Sequence, residues 1–291
     1  MLPTKTAIVT DSNSGIPQDL AKDLGIFVIP MPFLIQDDLF YEDISLTQAA
    51  FYEKLTDPEL AVSTSQPAIG DIVDLWDSLL QKYDEVVHIP MSSGLSGSYA
   101  TALALAMDYD GRVQVVNNQR ISVTQRQSVM DALELAGAGK TAADIRTILE
   151  ETRFDSSIYI QLDTLKYLKK GGRVTPAAAA IATVLRIKPV LQIQGEKLDA
   201  FAKARNEKLA RSLMIEAMRN DIMARFGGMD HVRVYVAHTH NEAAARDFAA
   251  SIEEDFGIRV TYCDPLSLSI ACHIGPGALA IACSQKIDRY L

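Results

Sequence analysis

The segment Ser92-Ser93-Gly94-Leu95-Ser96-Gly97-Ser98-Tyr99 places serines and glycines between two apolar stretches. Before it, Glu85-Val86-Val87-His88-Ile89-Pro90 reads as a buried strand; after it, Ala100–Ala106 reads as a helix. The first N–H groups of a helix have no carbonyl partner within it and point the same way, so such a start cradles an anion, and serine hydroxyls add donors. The segment holds no lysine, which suits a carboxylate better than a triphosphate. An ordinary strand-to-helix turn with serine caps accounts for the same residues.

Ser63-Thr64-Ser65-Gln66-Pro67 precedes a helical pattern at Ile69–Lys82. Its hydroxyls cap that helix on one reading. On the other, Thr64 and Ser96 stand at the C-terminal ends of neighbouring parallel strands and face one crevice, the edge where open α/β sheets bind ligands. In Lys169-Lys170-Gly171-Gly172-Arg173 the glycines make a helix C-cap and the lysines suit the helix dipole. Arg173, held on the glycine turn, is placed to meet an anion bidentately. Lys203-Ala204-Arg205 adds a second basic point, for which an exposed charge pair is the plain reading.

His273 sits in an apolar run before Gly275-Pro276-Gly277, read as the start of a glycine-rich helix. It is either a satisfied core histidine or a residue facing a site. His238-Thr239-His240 ends a strand without a carboxylate or cysteine at ligand spacing, so no metal is expected. Gly139-Lys140-Thr141 has the tail of a P-loop, but Glu134 holds the leading glycine position. A serine esterase or acyltransferase would use Ser96 as nucleophile, His273 as base and an orienting acid such as Asp264. The Gly-x-Ser-x-Gly order is broken around Ser96, which counts against that alternative.

Positioning these residues requires an α/β framework. The chain has 291 residues, 48% hydrophobic and 22% charged, enough for two domains or one large α/β unit. Candidate strands Ala7–Thr10, Ile26–Pro30, Val86–Ile89 and Val113–Val116 alternate with helical stretches, the pattern of a mainly parallel sheet covered on both faces. A second α/β pattern follows: strands at Ser157–Leu162, Ile187–Gln194, Val232–Ala237 and Ile258–Tyr262, with helices at Asp163–Lys170, Asn206–Phe226 and Glu242–Phe256. We place the boundary near Phe154-Asp155-Ser156, giving an N-terminal domain of residues 1–155 with the hydroxyl-rich loops. A C-terminal domain of residues 156–291 carries the Gly-Gly-Arg turn and His273. The net charge of −9 disfavours nucleic acid as a partner. Three cysteines without a Cys-x-x-Cys pair, and no signal-like N-terminal run, point to a cytoplasmic setting. Leu266–Cys283 is long and nearly uncharged, but Gly-Pro-Gly splits it, so it reads as buried core and not a membrane span.

Thr10-Asp11-Ser12, Thr64-Ser65-Gln66-Pro67, Ser92–Tyr99, Lys169–Val174 and His273–Ala282 recur in order, and together they resemble the DegV family, the bacterial fatty-acid-binding subunits of FakB type. The resemblance implies two α/β domains with a long-chain fatty acid held between them, its carboxylate at the domain interface and its tail in an apolar tunnel. It further implies that the chain is not itself an enzyme. The acid is presented to a separate ATP-dependent fatty acid kinase subunit, which forms an acyl phosphate for phospholipid synthesis; no cofactor is implied, and membrane contact is at most transient. Carried over, Thr64 and Ser96 bind the carboxylate with a backbone N–H near Gly97, and His273 approaches the same group. Arg173 and Arg205 lie near the site mouth. The small residues Ala177–Ala180 and Ala278–Ala282 would let a tail pass between helices, although close helix packing explains them equally. Asn117-Asn118-Gln119-Arg120 and Thr124-Gln125-Arg126-Gln127 depart from the family pattern of Asp-Ser followed by small residues, and larger side chains there would shorten or reshape the tunnel.

Overall fold

Short runs of β-branched residues, apolar at nearly every position, can be satisfied only by burial on both faces, and the first of them form a parallel sheet. The computed structural model describes residues 5–42, 44–168, 173–181 and 187–291. The chain divides into two units, residues 1–154 with 287–291, and residues 155–286.

In the first unit, β1 (Thr6–Asp11), β2 (Phe27–Ile29), β6 (Glu85–Ile89) and β7 (Val113–Val115) form a four-stranded sheet in the order β2-β1-β6-β7. Every pairing is parallel, with Val9 opposite Phe27 and His88, and His88 opposite Val115. Alternate side chains go to opposite faces. Ala7, Val9 and Val86 pack with Ile72 and Trp76 of α3 (Ile69–Leu79) and Ala102 of α4 (Ser98–Ala106). Ile8, Val28, Val87 and Ile89 pack with α1 (Gln18–Leu24), α5 (Ser122–Gly137) and α6 (Ala142–Glu151). Ile287, near the end of the chain, belongs to this second layer. α6 begins with a capping box in which Thr141 and Asp144 exchange backbone and side-chain hydrogen bonds.

A small antiparallel sheet is the first departure from the sequence reading. β3 (Pro32–Ile35), β4 (Asp38–Tyr41) and β5 (Val62–Thr64) pair in the order β4-β3-β5, with α2 (Gln48–Thr56) between the last two in sequence. Phe33 lies opposite both Phe40 and Thr64. Thr64 therefore ends an antiparallel strand, which corrects its placement on a strand of the parallel sheet. These strands are three or four residues long, too short for an alternation signal.

The second unit holds a six-stranded sheet in the order β10-β9-β8-β13-β11-β12. Its strands are β8 (Ser156–Gln161), β9 (Lys188–Ile193), β10 (Asp199–Ala204), β11 (Val232–His238), β12 (Val260–Pro265) and β13 (Leu279–Gln285). Only β11 and β12 pair in parallel. α7 (Pro176–Ile181) contacts β10, and α8 (Glu207–Arg225) with α9 (Glu242–Phe256) covers one face of the sheet through Met214, Met218, Phe248 and Ile252. α10 (Leu268–Ile274) precedes β13. Ala278–Ala282 accordingly enters a strand near the sheet centre rather than a helix, so these alanines serve sheet packing. The expected helix at residues 163–170 is a set of turns through residue 167, and residues 169 and 170 lie outside the described residues. Among the described residues, no helix is long and apolar enough to cross a membrane.

Candidate functional site

β6 ends at Ile89, and the next residues are tied down one amide at a time. The Met91 N–H donates to Asp11 Oδ2 at 2.9 Å, and the Ser92 N–H donates to the Arg120 carbonyl at 2.9 Å. The loop then turns on Ser92, whose carbonyl accepts the Leu95 N–H at 3.0 Å and the Ser96 N–H at 3.2 Å. Ser96 and Ser98 share a hydrogen bond between hydroxyls at 2.8 Å, and Ser96 Oγ accepts the Ser98 N–H at 3.1 Å. Thr101 N–H to Gly97 C=O at 3.0 Å is the first turn bond of α4. The N–H groups of Gly97, Tyr99 and Ala100 thus precede the helix's own bonding. Gly97 is exposed, Ser96 half-buried and Ser98 buried. Ser96 Oγ thus takes the Ser98 N–H at the helix start, and the N-cap position itself is Gly97.

Gln66 links the Thr64 block to this helix start. Its Oε1 accepts the Thr101 hydroxyl at 3.2 Å and lies 3.3 Å from where a Cβ on Gly97 would stand. A side chain at 97 would press on Gln66, which gives the glycine a steric reason. Within the first unit the structure thus brings the Thr64-Ser65-Gln66 strand end to the helix start that follows Ser96.

Asp11 is the residue that sequence reasoning left without a role. It is buried, and it accepts from the Asn13 N–H at 3.0 Å, Asn13 Nδ2 at 2.9 Å and Gln125 Nε2 at 3.1 Å as well as from Met91. Burial pushes its carboxyl above the usual carboxylate range, against these four donors. Its signal was the Thr-Asp-Ser block at a strand's C-terminal end, but the bond that matters spans 80 residues. The divergent segments lie beside it. Asn118, Arg120, Thr124, Gln125 and Gln127 are buried, with Arg120 donating to Ser128 Oγ at 3.2 Å and to the Thr152 carbonyl at 2.7 Å. Gln119 and Ser122 both adopt positive φ, at 55° and 58°, around the Arg120 carbonyl that holds Ser92.

In the second unit, His273 occupies the last turn of α10, not the position before a helix, and Gly275-Pro276-Gly277 leads into β13. The glycines have a geometric cause. Gly275 adopts φ +77°, and a Cβ there would meet the Tyr167 ring at 2.3 Å; Gly277 adopts φ +84° against Asp163. Thr239, from the His-Thr-His block, pins this turn: its hydroxyl donates to the Gly275 carbonyl at 2.7 Å and accepts the Ala278 N–H at 2.9 Å. His238 Nδ1 accepts the Asn241 N–H at 3.2 Å. That block is therefore occupied structurally, and among the described residues no group of three or more His, Cys, Asp or Glu is placed to hold a metal.

Burial, and then the Arg173 cation, lower the His273 imidazole to about 4, so it is neutral at pH 7. The structure thus brings Arg173 and His273 near each other, whereas Arg205 stands exposed between β10 and α8. Gly171 and Gly172 of the Gly-Gly-Arg turn lie outside the described residues. Burial lowers the His238 imidazole, with Glu242 and then Asp264 acting against it.

The model of the DegV family of uncharacterised proteins matches residues 5–286. Protein DegV of Bacillus subtilis is 30% identical over 277 residues, which span 94% of this chain and 97% of that protein. A fatty-acid-binding DegV family protein from Thermus thermophilus superimposes with a TM-score of 0.88 at 29% identity, over 97% of this chain and all of that one (100%). The crystal structure of DegV, a fatty acid binding protein from Bacillus subtilis, gives a TM-score of 0.84 at 29% identity, over 97% and 100% of the two chains.

Proposed function

The chain belongs to the DegV family, and from that premise we propose that it binds a long-chain fatty acid by its carboxylate and presents it to a separate ATP-dependent kinase subunit. The observation that carries the first half is the start of α4. There, N–H groups ahead of the helix's own bonding adjoin the Ser96 and Ser98 hydroxyls, at the C-terminal edge of a parallel sheet. Thr64, Ser96 and Gly97 are the head-group ligands on this reading. The likeness to two fatty-acid-binding relatives over nearly the whole chain supports the same ligand class. His273 as a further head-group donor, and Arg173 and Arg205 near the mouth, rest on the family resemblance. A neutral imidazole suits that role, since it donates a hydrogen bond without requiring a buried cation.

The energetics favour such a ligand. Burying an alkyl chain contributes about 0.8 kcal/mol per methylene, so a long tail gains roughly 10 kcal/mol gross. A few polar contacts at one end then suffice for orientation. The kinase half of the proposal rests on the family resemblance, and Gly139-Lys140-Thr141, with Glu134 at the leading glycine position, gives this chain no P-loop of its own there.

Native mass spectrometry of protein purified without delipidation tests the binding. The expected result is an adduct of fatty-acid mass that organic extraction removes. A clean spectrum, together with no uptake of added oleate or palmitate, overturns the reading. Addition of the cognate kinase and ATP should convert the bound acid to its acyl phosphate.

A further inference from the structure

Met91 and Ser92 open the loop that carries Ser96, and their amides are held from two directions. The Ser92 N–H is held by the Arg120 carbonyl, a backbone group. The Met91 N–H is held by a single side-chain atom, Asp11 Oδ2 at 2.9 Å. Since Ser92 accepts the Leu95 and Ser96 N–H groups, the placement of these two residues is passed directly to Ser96.

The two oxygens of Asp11 have different duties. Oδ1 faces three donors, the Asn13 N–H, Asn13 Nδ2 and Gln125 Nε2. Oδ2 faces the Met91 N–H. The side chain comes from the end of β1 and reaches across to the exit of β6, the neighbouring strand. A buried carboxylate surrounded by neutral donors is costly to maintain. A neutral residue of similar shape would serve the first unit's packing at lower cost. What only a carboxylate supplies here is an acceptor on both sides at once.

We propose that Asp11 is a positioning residue for the ligand carboxylate: through Met91 it sets the loop that aims Ser96 and the Gly97 N–H. This rests on the reading that Ser96 and Gly97 hold the head group.

Asp11→Asn isolates that duty. The amide oxygen is drawn to the side with three donors, which turns the NH2 toward the Met91 N–H and sets donor against donor. The Met91 bond is lost while the Asn13 and Gln125 bonds stay. Gln125→Leu is the converse variant: it removes a donor to Oδ1, together with that amide's bonds to Thr10 Oγ1 and the Ile89 carbonyl, and leaves the Met91 bond intact. We expect Asp11→Asn to weaken fatty-acid retention by about 10- to 100-fold, the scale of one hydrogen bond to a charged group, with Met91 amide exchange accelerated in delipidated protein. Gln125→Leu should lower the melting temperature and keep the acid. Parent-like retention and Met91 protection in Asp11→Asn overturns the proposal, as does equal loss of acid in both variants. Should Asp11→Asn fail to fold, replacing Met91 with its α-hydroxy acid analogue deletes the same N–H without touching Asp11, and parent-like retention there also overturns it. Ser96→Ala and Thr64→Ala test the underlying reading separately: unchanged retention in their double variant refutes the head-group assignment, whereas Met91 exchange reports on Asp11 whether or not a ligand is bound.

Discussion

Gln66 Oε1 accepts the Thr101 hydroxyl at 3.2 Å, fastening the strand end that bears Thr64 to the first turn of the helix that follows Ser96. Two hydroxyl-rich blocks about thirty residues apart in sequence are thereby tied into one local assembly. Ser96→Ala and Thr64→Ala should each weaken retention of the acid by about tenfold or more, at 1.5–3 kcal/mol for a hydrogen bond to a charged group. Competitive displacement by a fluorescent fatty acid measures this. The double variant should lose more than either single one.

Gly275 offers a sharper test of the turn after His273. Its φ of +77° belongs to glycine, and a Cβ would stand 2.3 Å from the Tyr167 ring. Gly275→Ala should destabilise the second unit by about 3 kcal/mol or more, combining the backbone cost of 1–3 kcal/mol with the overlap. Adding Tyr167→Ala to that variant should recover the overlap and leave the backbone part. Urea unfolding of the parent and these two variants separates the contributions.

Acid should destabilise the fold through two histidines. His273 is lowered from 6.5 to about 4 and His88 from 6.5 to about 3, both chiefly by burial. The unfolded chain therefore binds more protons below pH 6.5, so stability is intact above 6.5 and lost as pH falls toward those values. Both histidines contribute to the slope between pH 6.5 and about 4, so His88→Phe, which keeps the edge-on packing against Trp76, and His273→Gln should each flatten it there, and only His88→Phe should flatten the part below about 4. Arg173→Ala removes the cation beside His273 and should move its NMR titration upward; an unmoved titration would show that burial acts alone.

Arg205 is exposed, and its loss should leave the acid in place. If it serves the kinase step, Arg205→Ala slows acyl phosphate formation in the presence of kinase and ATP without altering native-mass occupancy. Equal kinetics for parent and variant would remove Arg205 from the proposal.

Much of the first unit was legible because β1, β2, β6 and β7 are apolar runs buried on both faces, and such runs announce themselves. β3, β4 and β5 were not: β2 and β7 are just as short but largely buried, whereas β4 and β5 are exposed or half-buried and three or four residues give no period to read instead. β13 was hidden by composition: Ala278, Ala280 and Ala282 suggest a helix, yet the strand sits between β8 and β11 where space is short. In the site, the Ser96 loop was visible as a local pattern of glycine and serine. Asp11 was not, because its function is a contact between chain positions 80 residues apart. Local chemistry can be read from spacing; a hydrogen bond between distant strand ends needs the fold.

The last five residues, 287–291, belong with the first unit, and the ends of the second are joined by the Gln285 N–H to Asp155 carbonyl bond at 2.8 Å. Topologically the second unit is an insertion into the first, with its entrance and exit side by side. A premature stop just before Ile287 would therefore injure the half encoded at the opposite end of the gene, by removing a plug from its hydrophobic layer. Conversely, the inserted segment is the one to excise or transplant whole, since its two cut points already meet.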